Sequence, residues 1–173
     1  MAGSLIKIDE EIVSGAVSSV SLTGIDSTYD VYMVQVSNAK VNTDDALSIR
    51  VTKSGYADTT ANYDDAKKYL KSGSAFSNIS NTNATQIDFT ATIDSGISAS
   101  NGNGVAYLFN FANAEYSFVT IESTHFQYNN NEARGFVGSF VHTVASASDG
   151  VLFKTNGGNN ITLGNFTLYG LKK

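Results

Sequence analysis

The sequence predicts an all-β chain, an antiparallel β-sandwich of jelly-roll-like kind, and three observations predict it. Apolar and polar residues alternate over short segments such as Leu47-Ser48-Ile49-Arg50-Val51, which is the period of a strand with one buried face. Clusters of turn-forming residues, Asn42-Thr43-Asp44-Asp45 and Asn129-Asn130-Asn131-Glu132 among them, separate these segments. Only one stretch carries a helical pattern, and roughly nine or ten short strands in a single chain are the pattern of a sandwich.

Taken in order, Leu5, Ile6 and Ile8 begin a first strand ahead of the acidic Asp9-Glu10-Glu11, and a second runs near Ala16–Leu22. Gly24-Ile25-Asp26-Ser27 turns the chain into Tyr29–Asn38, where Val31 and Met33 alternate with Tyr32, Val34 and Val36. Apolar residues on both faces mark that strand as central. Ala46–Lys53 is a half-buried strand, with Leu47, Ile49 and Val51 inward and Ser48, Arg50 and Thr52 outward.

Residues 54–85 break the alternation and read as a long connection holding one helical insertion at about 59–73. Within it, Asn62–Leu70 has helix signals: Asn62 as cap, Asp64 and Asp65 at the positive first turn, Lys67, Lys68 and Lys71 near the negative end, and Gly73 as terminator. Ala66, Tyr69 and Leu70 would form its buried stripe.

Strands resume at Gln86–Ile93 and at Val105–Phe111, where Val105, Tyr107, Phe109 and Phe111 fall on one face. In Tyr116–Tyr128, Val119 and Ile121 share a face against Phe118, Phe126 and Tyr128, and the turn at Asn129–Glu132 returns the chain as Arg134–Ala145, a hairpin. Val151–Thr155 follows. The chain ends on Ile161–Lys173, in which Phe166 and Leu168 oppose Ile161, Leu163, Thr167, Tyr169 and Leu171, and Gly164 marks a bulge. Apolar residues on both faces predict a final strand buried on both sides, tying the C-terminus to the core.

Composition narrows function. The 173 residues are one domain's worth, 1–173, and they include no cysteine, so neither a disulfide framework nor a thiolate metal site is available. A net charge of −5, with 11 Lys and Arg and no basic block, offers no footprint for a phosphate backbone, so no nucleic-acid partner is expected. Neither a Sec-type leader nor an apolar run of roughly 20 residues is present, so no membrane partner is expected either. The chain also has no proline, one of the residues that protect sheet edges, so its edges must be blunted otherwise or paired in an oligomer.

Motifs for catalysis are lacking. His125 and His142 are the only histidines, and Glu122 and His125, three apart in a strand, point to opposite faces. There is no G-x-S-x-G elbow, and the Gly-rich pieces at 102–104 and 157–158 lead into no helix that would make them phosphate cradles. Asp88, Asp94 and Glu122 are the carboxylates from which a glycosidase pair would have to come. Asp26 with Asp30, Asp44-Asp45 and Asp64-Asp65 carry oxygen ligands but not the calcium-loop spacing, and read as turn and cap carboxylates. No enzyme activity, cofactor or metal is expected. The aromatic residues Tyr107, Tyr116, Phe126, Tyr128 and Tyr169 are weighed as core, as a subunit interface or as a ligand platform.

The strand Tyr29–Asn38, the alternating Leu47–Val51, the Tyr-containing insertion and above all the ending Asn160-Ile161 … Gly164 … Leu168-Tyr169-Gly170-Leu171 resemble small structural proteins of tailed bacteriophages. In that group a Leu-Tyr-Gly-Leu or Leu-Tyr-Gly-Ile ending after an Asn-Ile-x-x-Gly run recurs. The resemblance implies a β-sandwich located in the virion and made in the host cytoplasm. It implies an outer capsid decoration or cement protein that contacts the major capsid protein or other virion proteins, as a homo-oligomer with a trimer favoured. The alternative it implies is a tail-fibre or receptor-binding domain for host surface glycan. It carries no catalytic residues.

Overall fold

The computed structural model describes residues 4–172, and thirteen strands account for most of them. They are β1 (Ser4–Val13), β2 (Ser19–Thr23), β3 (Val31–Val41), β4 (Leu47–Lys53), β5 (Tyr56–Ala57), β6 (Tyr63–Lys71), β7 (Ser77–Ala84), β8 (Ile87–Asp88), β9 (Gly102–Phe109), β10 (Ser117–Gln127), β11 (Glu132–His142), β12 (Gly150–Thr155) and β13 (Ile161–Lys172). All pair antiparallel in two facing sheets, so the expected sandwich is present, with more strands than the eight of a jelly roll. The larger sheet runs β1-β13-β3-β9-β10-β11-β6-β7, and the smaller runs β2-β12-β4-β5 with β8 also on β4.

The core lies between the sheets and is centred on aromatic rings. Phe153 of β12 meets Phe166 of β13 at a centroid distance of 5.3 Å and meets Phe89, in the connection after β8, edge to face at 5.3 Å. Each ring is fully buried, and burying one such side chain contributes about 1.5–3 kcal/mol. Tyr63, also fully buried, donates its hydroxyl to the Asp58 carbonyl at 2.9 Å and accepts the Val51 N–H at 3.0 Å. A phenol can sit in the core only because both of its polar demands are met there.

The terminal strand has the central place its two apolar faces predict. β13 is paired on one side by β1 and on the other by β3, and Phe166 and Leu168 are fully buried. Ile161 and Leu163 do not share a side, since the pairing with β3 shifts register between them and again before Asn165. Gly164 sits in this irregularity at φ 146°, and a Cβ there would lie 2.9 Å from the Phe166 ring and 3.1 Å from the Ala39 Cα. Gly164→Ala is therefore expected to cost about 1–3 kcal/mol, read from the urea midpoint, and an unchanged midpoint would remove the bulge from the account of this strand.

The helical insertion expected at about 59–73 is absent: Tyr63–Lys71 is strand β6, paired to β11 and to β7. The polar run from Ser77 to Ala84, expected as loop, is β7. The charges that look like dipole partners are arranged with a period of two. Tyr63, Asp65 and Lys67 are buried on the inner face while Ala66 and Lys68 are exposed. Asp65 and Lys67 neutralise each other at 2.8 Å with both side chains almost fully buried, which lets a charged segment fill core positions. A helix over the same residues would have left the long β11 edge unpaired.

β4 also departs from its expected half-burial, because Ser48 and Thr52 are fully buried along with Leu47, Ile49 and Val51. Ser48 donates to the Asp88 carboxylate at 3.3 Å and Thr52 to that of Asp149 at 2.7 Å. In β9 the inward residues are Ala106 and Leu108, so Val105, Tyr107 and Phe109 face outward, while Phe111 lies beyond the strand and is buried.

Candidate functional site

On the outer face of the larger sheet, apolar side chains gather into rows outside the core. Residues directly opposite each other in an antiparallel pair share a face, so the register assigns that face row by row. One row crosses the sheet as Leu5 and Leu171 of β1 and β13, Val31 and Phe109 of β3 and β9, and Phe118 and Val141 of β10 and β11. Phe118 is 46% exposed and Leu5 52%, while Val31, Phe109, Val141 and Leu171 are half-buried. The next row holds Tyr169, Met33 and Tyr107, with the two tyrosines on either side of the methionine.

These rows divide the five aromatic residues that the sequence offers as a platform. Tyr107 and Tyr169 lie on the apolar rows, and exposed Tyr116 precedes β10 at the same end as Phe118. Phe126 and Tyr128 lie at the other end of β10, roughly 30 Å away at about 3.3 Å per residue. They are exposed, so none of the four with large exposure is a core residue, and only Tyr169 is half-buried. Phe118, Phe109 and Val31 belong to the patch although the sequence gives no way to rank them above other strand residues. The signal lay in their outward parity opposite one another, and parity across strands needs the register.

Further along the same face polar side chains join a mainly apolar lining to form a shallow groove of about 630 Å³, lined among others by Gln35, Ser37, Val105, Glu122, Thr124 and Val137. It continues past Leu70 and Thr124 into a second depression of about 590 Å³ bounded by Phe76 and Arg134. The Arg134 guanidinium is held by Glu132 at 2.8 Å and by the Tyr69 hydroxyl at 3.0 Å.

The titratable residues weighed for chemistry do not converge. Glu122 is exposed on the outer face, whereas Asp94 is buried and accepts from the Gln127 amide and the Asn129 N–H, and Asp88 borders Lys67 at the inner face. The sheet stands between Glu122 and the other two, so these carboxylates flank no common space. Burial is the main influence on Asp88 and raises its carboxyl, with the Lys67 charge pulling it back. Asp44 is held low by hydrogen bonds from the Ser95 hydroxyl and N–H. Asp45 accepts from Gly157 N–H and the Asn159 amide, pinning two turns together. Among the described residues, no group of three or more His, Asp or Glu could hold a metal ion.

The two histidines are inner-face residues. His125 is 4% exposed; burial depresses it to about 4, opposed by a backbone hydrogen bond with Thr92. His142 is fully buried against the Tyr63 ring at 4.8 Å, with Nε2 3.0 Å from the Asp58 carboxylate. Burial lowers it too, and Asp58 opposes that shift. No protein-family model, curated protein or solved structure matches this chain.

Proposed function

We propose that the protein is a non-enzymatic structural component of a virion, an outer decoration that binds the capsid shell and holds neighbouring shell subunits together. The observation that carries the reading is the apolar row crossing the outer face from Leu5 to Val141, including Phe118 at 46% exposure. Contiguous exposed apolar surface of this kind is costly in water and is the usual core of a protein interface, with a polar rim around it. The acidic charge of −5 supports a surface that meets protein and stays away from genome. In this role the chain works by surface area and needs no cofactor.

Mass spectrometry of purified virions tests the assignment: the protein should be present in a copy number comparable to the shell subunit, and a count of only a few per particle would overturn it. Phe118→Glu places a charge at the more exposed of the row's two phenylalanines. It should leave the unfolding free energy, read by urea denaturation, within about 0.5 kcal/mol of wild type and weaken shell binding at least tenfold, equivalent to about 1.4 kcal/mol. A variant that still binds normally would remove this face from the interface.

The groove favours a second reading, a tail-fibre or receptor-binding domain for host surface glycan, since Gln35, Ser37, Glu122 and Thr124 present amide, hydroxyl and carboxylate groups beside the apolar Val105 and Val137. Binding on a host glycan array that is lost in Glu122→Ala would favour it over the decoration reading, and a blank array would exclude it.

A further inference from the structure

The two edges of the larger sheet are built differently, and the difference identifies where copies of the chain meet. At one edge, β1 carries Lys7, Asp9, Glu10 and Glu11, and its register on β13 shifts between Lys7 and Asp9. The Asp9 carboxylate accepts the Thr23 N–H of β2 at 2.7 Å, drawing that edge toward the smaller sheet. Charges, a bulge and a bent edge are the devices by which sheets refuse additional strands.

β7, at the opposite edge, has none of these over most of its length. Its residues Ser77-Asn78-Ile79-Ser80-Asn81-Thr82-Asn83-Ala84 include no charge and no proline, and its irregularity is confined to the far end, where Asn83 adopts φ 56°. Ser77 through Asn81 pair with β6 without a break. Two of the β7 side chains are tied to β6: Lys68 donates to the Asn78 side-chain amide oxygen Oδ1 at 2.8 Å, and the Asn81 amide donates to Asp65 at 2.7 Å. No strand follows β7 in the sheet, so an uncharged row of backbone donors and acceptors is presented at that edge.

We propose that this edge pairs with the same edge of a second copy, antiparallel about a two-fold axis, joining two larger sheets into one. The inference deepens the assembly reading by naming the contact between copies, and it does not use the outer-face row that would meet the shell. A chain of charge −5 repels its own copies, so a self-contact belongs where charge is absent, and β7 meets that condition. Pairing centred on Ile79 would set each Asn78 opposite Ser80 of the other copy, a polar cross-strand pair compatible with itself. Pairing of β7 with β1 would instead meet four charged residues and, being head to tail, would propagate into open chains. Self-pairing closes at two, in place of the trimer that the resemblance implies.

Light scattering on the eluting full-length protein, over a hundredfold range of loading, is the test, with about a hundredfold spanning 2.8 kcal/mol of association. A dimer is expected that does not grow at the highest loading. Ser80→Lys and, separately, Ser80→Glu should each raise the dimer dissociation constant at least tenfold with an unchanged circular-dichroism spectrum and thermal midpoint of the monomer, because Ser80 is exposed. Ile12→Lys, a charge on the β1 edge, should leave the dimer intact. A monomer at every loading, a trimer, concentration-dependent growth, or a dimer indifferent to both Ser80 variants would each overturn the proposal. Loss of dimer in the Ser80 variants with shell binding retained, or the reverse in Phe118→Glu, separates this inference from the decoration reading.

Discussion

Lys67→Met is expected to destabilise the protein by about 3–5 kcal/mol, because it leaves the Asp65 carboxylate buried without its counter-charge. The ammonium lies 2.8 Å from Asp65, donates to the Asp88 carbonyl at 3.1 Å, and sits 4.9 Å from the centre of the Phe136 ring. Methionine replaces the stem but none of these charge contacts. The loss should be larger at neutral pH than in acid. Asp88 is already raised by burial and is pulled down by Lys67, so removing that cation raises it further. An acid raised in the folded state holds a proton there that the unfolded chain gives up, so the variant regains stability as pH falls through that raised value. Urea denaturation at constant slope measures the loss, and a difference below about 1 kcal/mol would show that the pair is dispensable. Adding Asp65→Leu to Lys67→Met should recover most of it, since a buried pair replaced by apolar residues of similar volume is often neutral.

Acidification is the second large effect, and His125 is expected to carry much of it. Its ring is depressed from the ordinary 6.5 to about 4 by burial, so the folded state prefers the neutral form. Above pH 6.5 both folded and unfolded chains hold it neutral and it has no influence. As pH falls from 6.5 toward 4 the unfolded chain binds a proton that the folded one refuses, and stability declines; below 4 the full difference of about 3 kcal/mol is lost. His142, lowered by burial as well, contributes in the same direction. Burial pushes Asp58 up, but hydrogen bonds from Thr60 and His142 more than offset it, so its carboxyl ends low and likewise loses its contribution in acid. His125→Leu should therefore match wild type near pH 7.5 and exceed it by about 2–3 kcal/mol at pH 4.5, as read by chemical denaturation. Parallel curves for the two proteins over that range would show that the ring is protonated freely in the folded state.

The strands most legible in the sequence are those whose two faces differ. β10 was readable because Val119 and Ile121 alternate with polar or exposed residues, and the hairpin to β11 followed from the run of Asn between them. β13 was readable for the other reason, apolar residues on both faces with a glycine where the register breaks. Failure was concentrated in β6. Asp64-Asp65 and Lys67-Lys68 satisfy the helix-dipole rule in a chain taken alone, and the rule lost because the free edge of β11 and the vacant core positions beside Phe136 and Phe140 were worth more to that segment than one short helix. Only a counter-charge two residues away made the strand affordable.

The sequence by itself determined the fold class, the central place of the terminal strand and the bulge at Gly164, since alternation, turn chemistry and composition are local properties. Tertiary structure alone decided three things. It set the register that lines Phe118, Phe109 and Val31 into one exposed row, it left β7 as an unguarded edge, and it buried Asp65, Lys67 and His125. Each depends on which strands become neighbours, and residues as distant as Val31 and Phe109 acquire a common face only when long-range pairing brings them opposite one another.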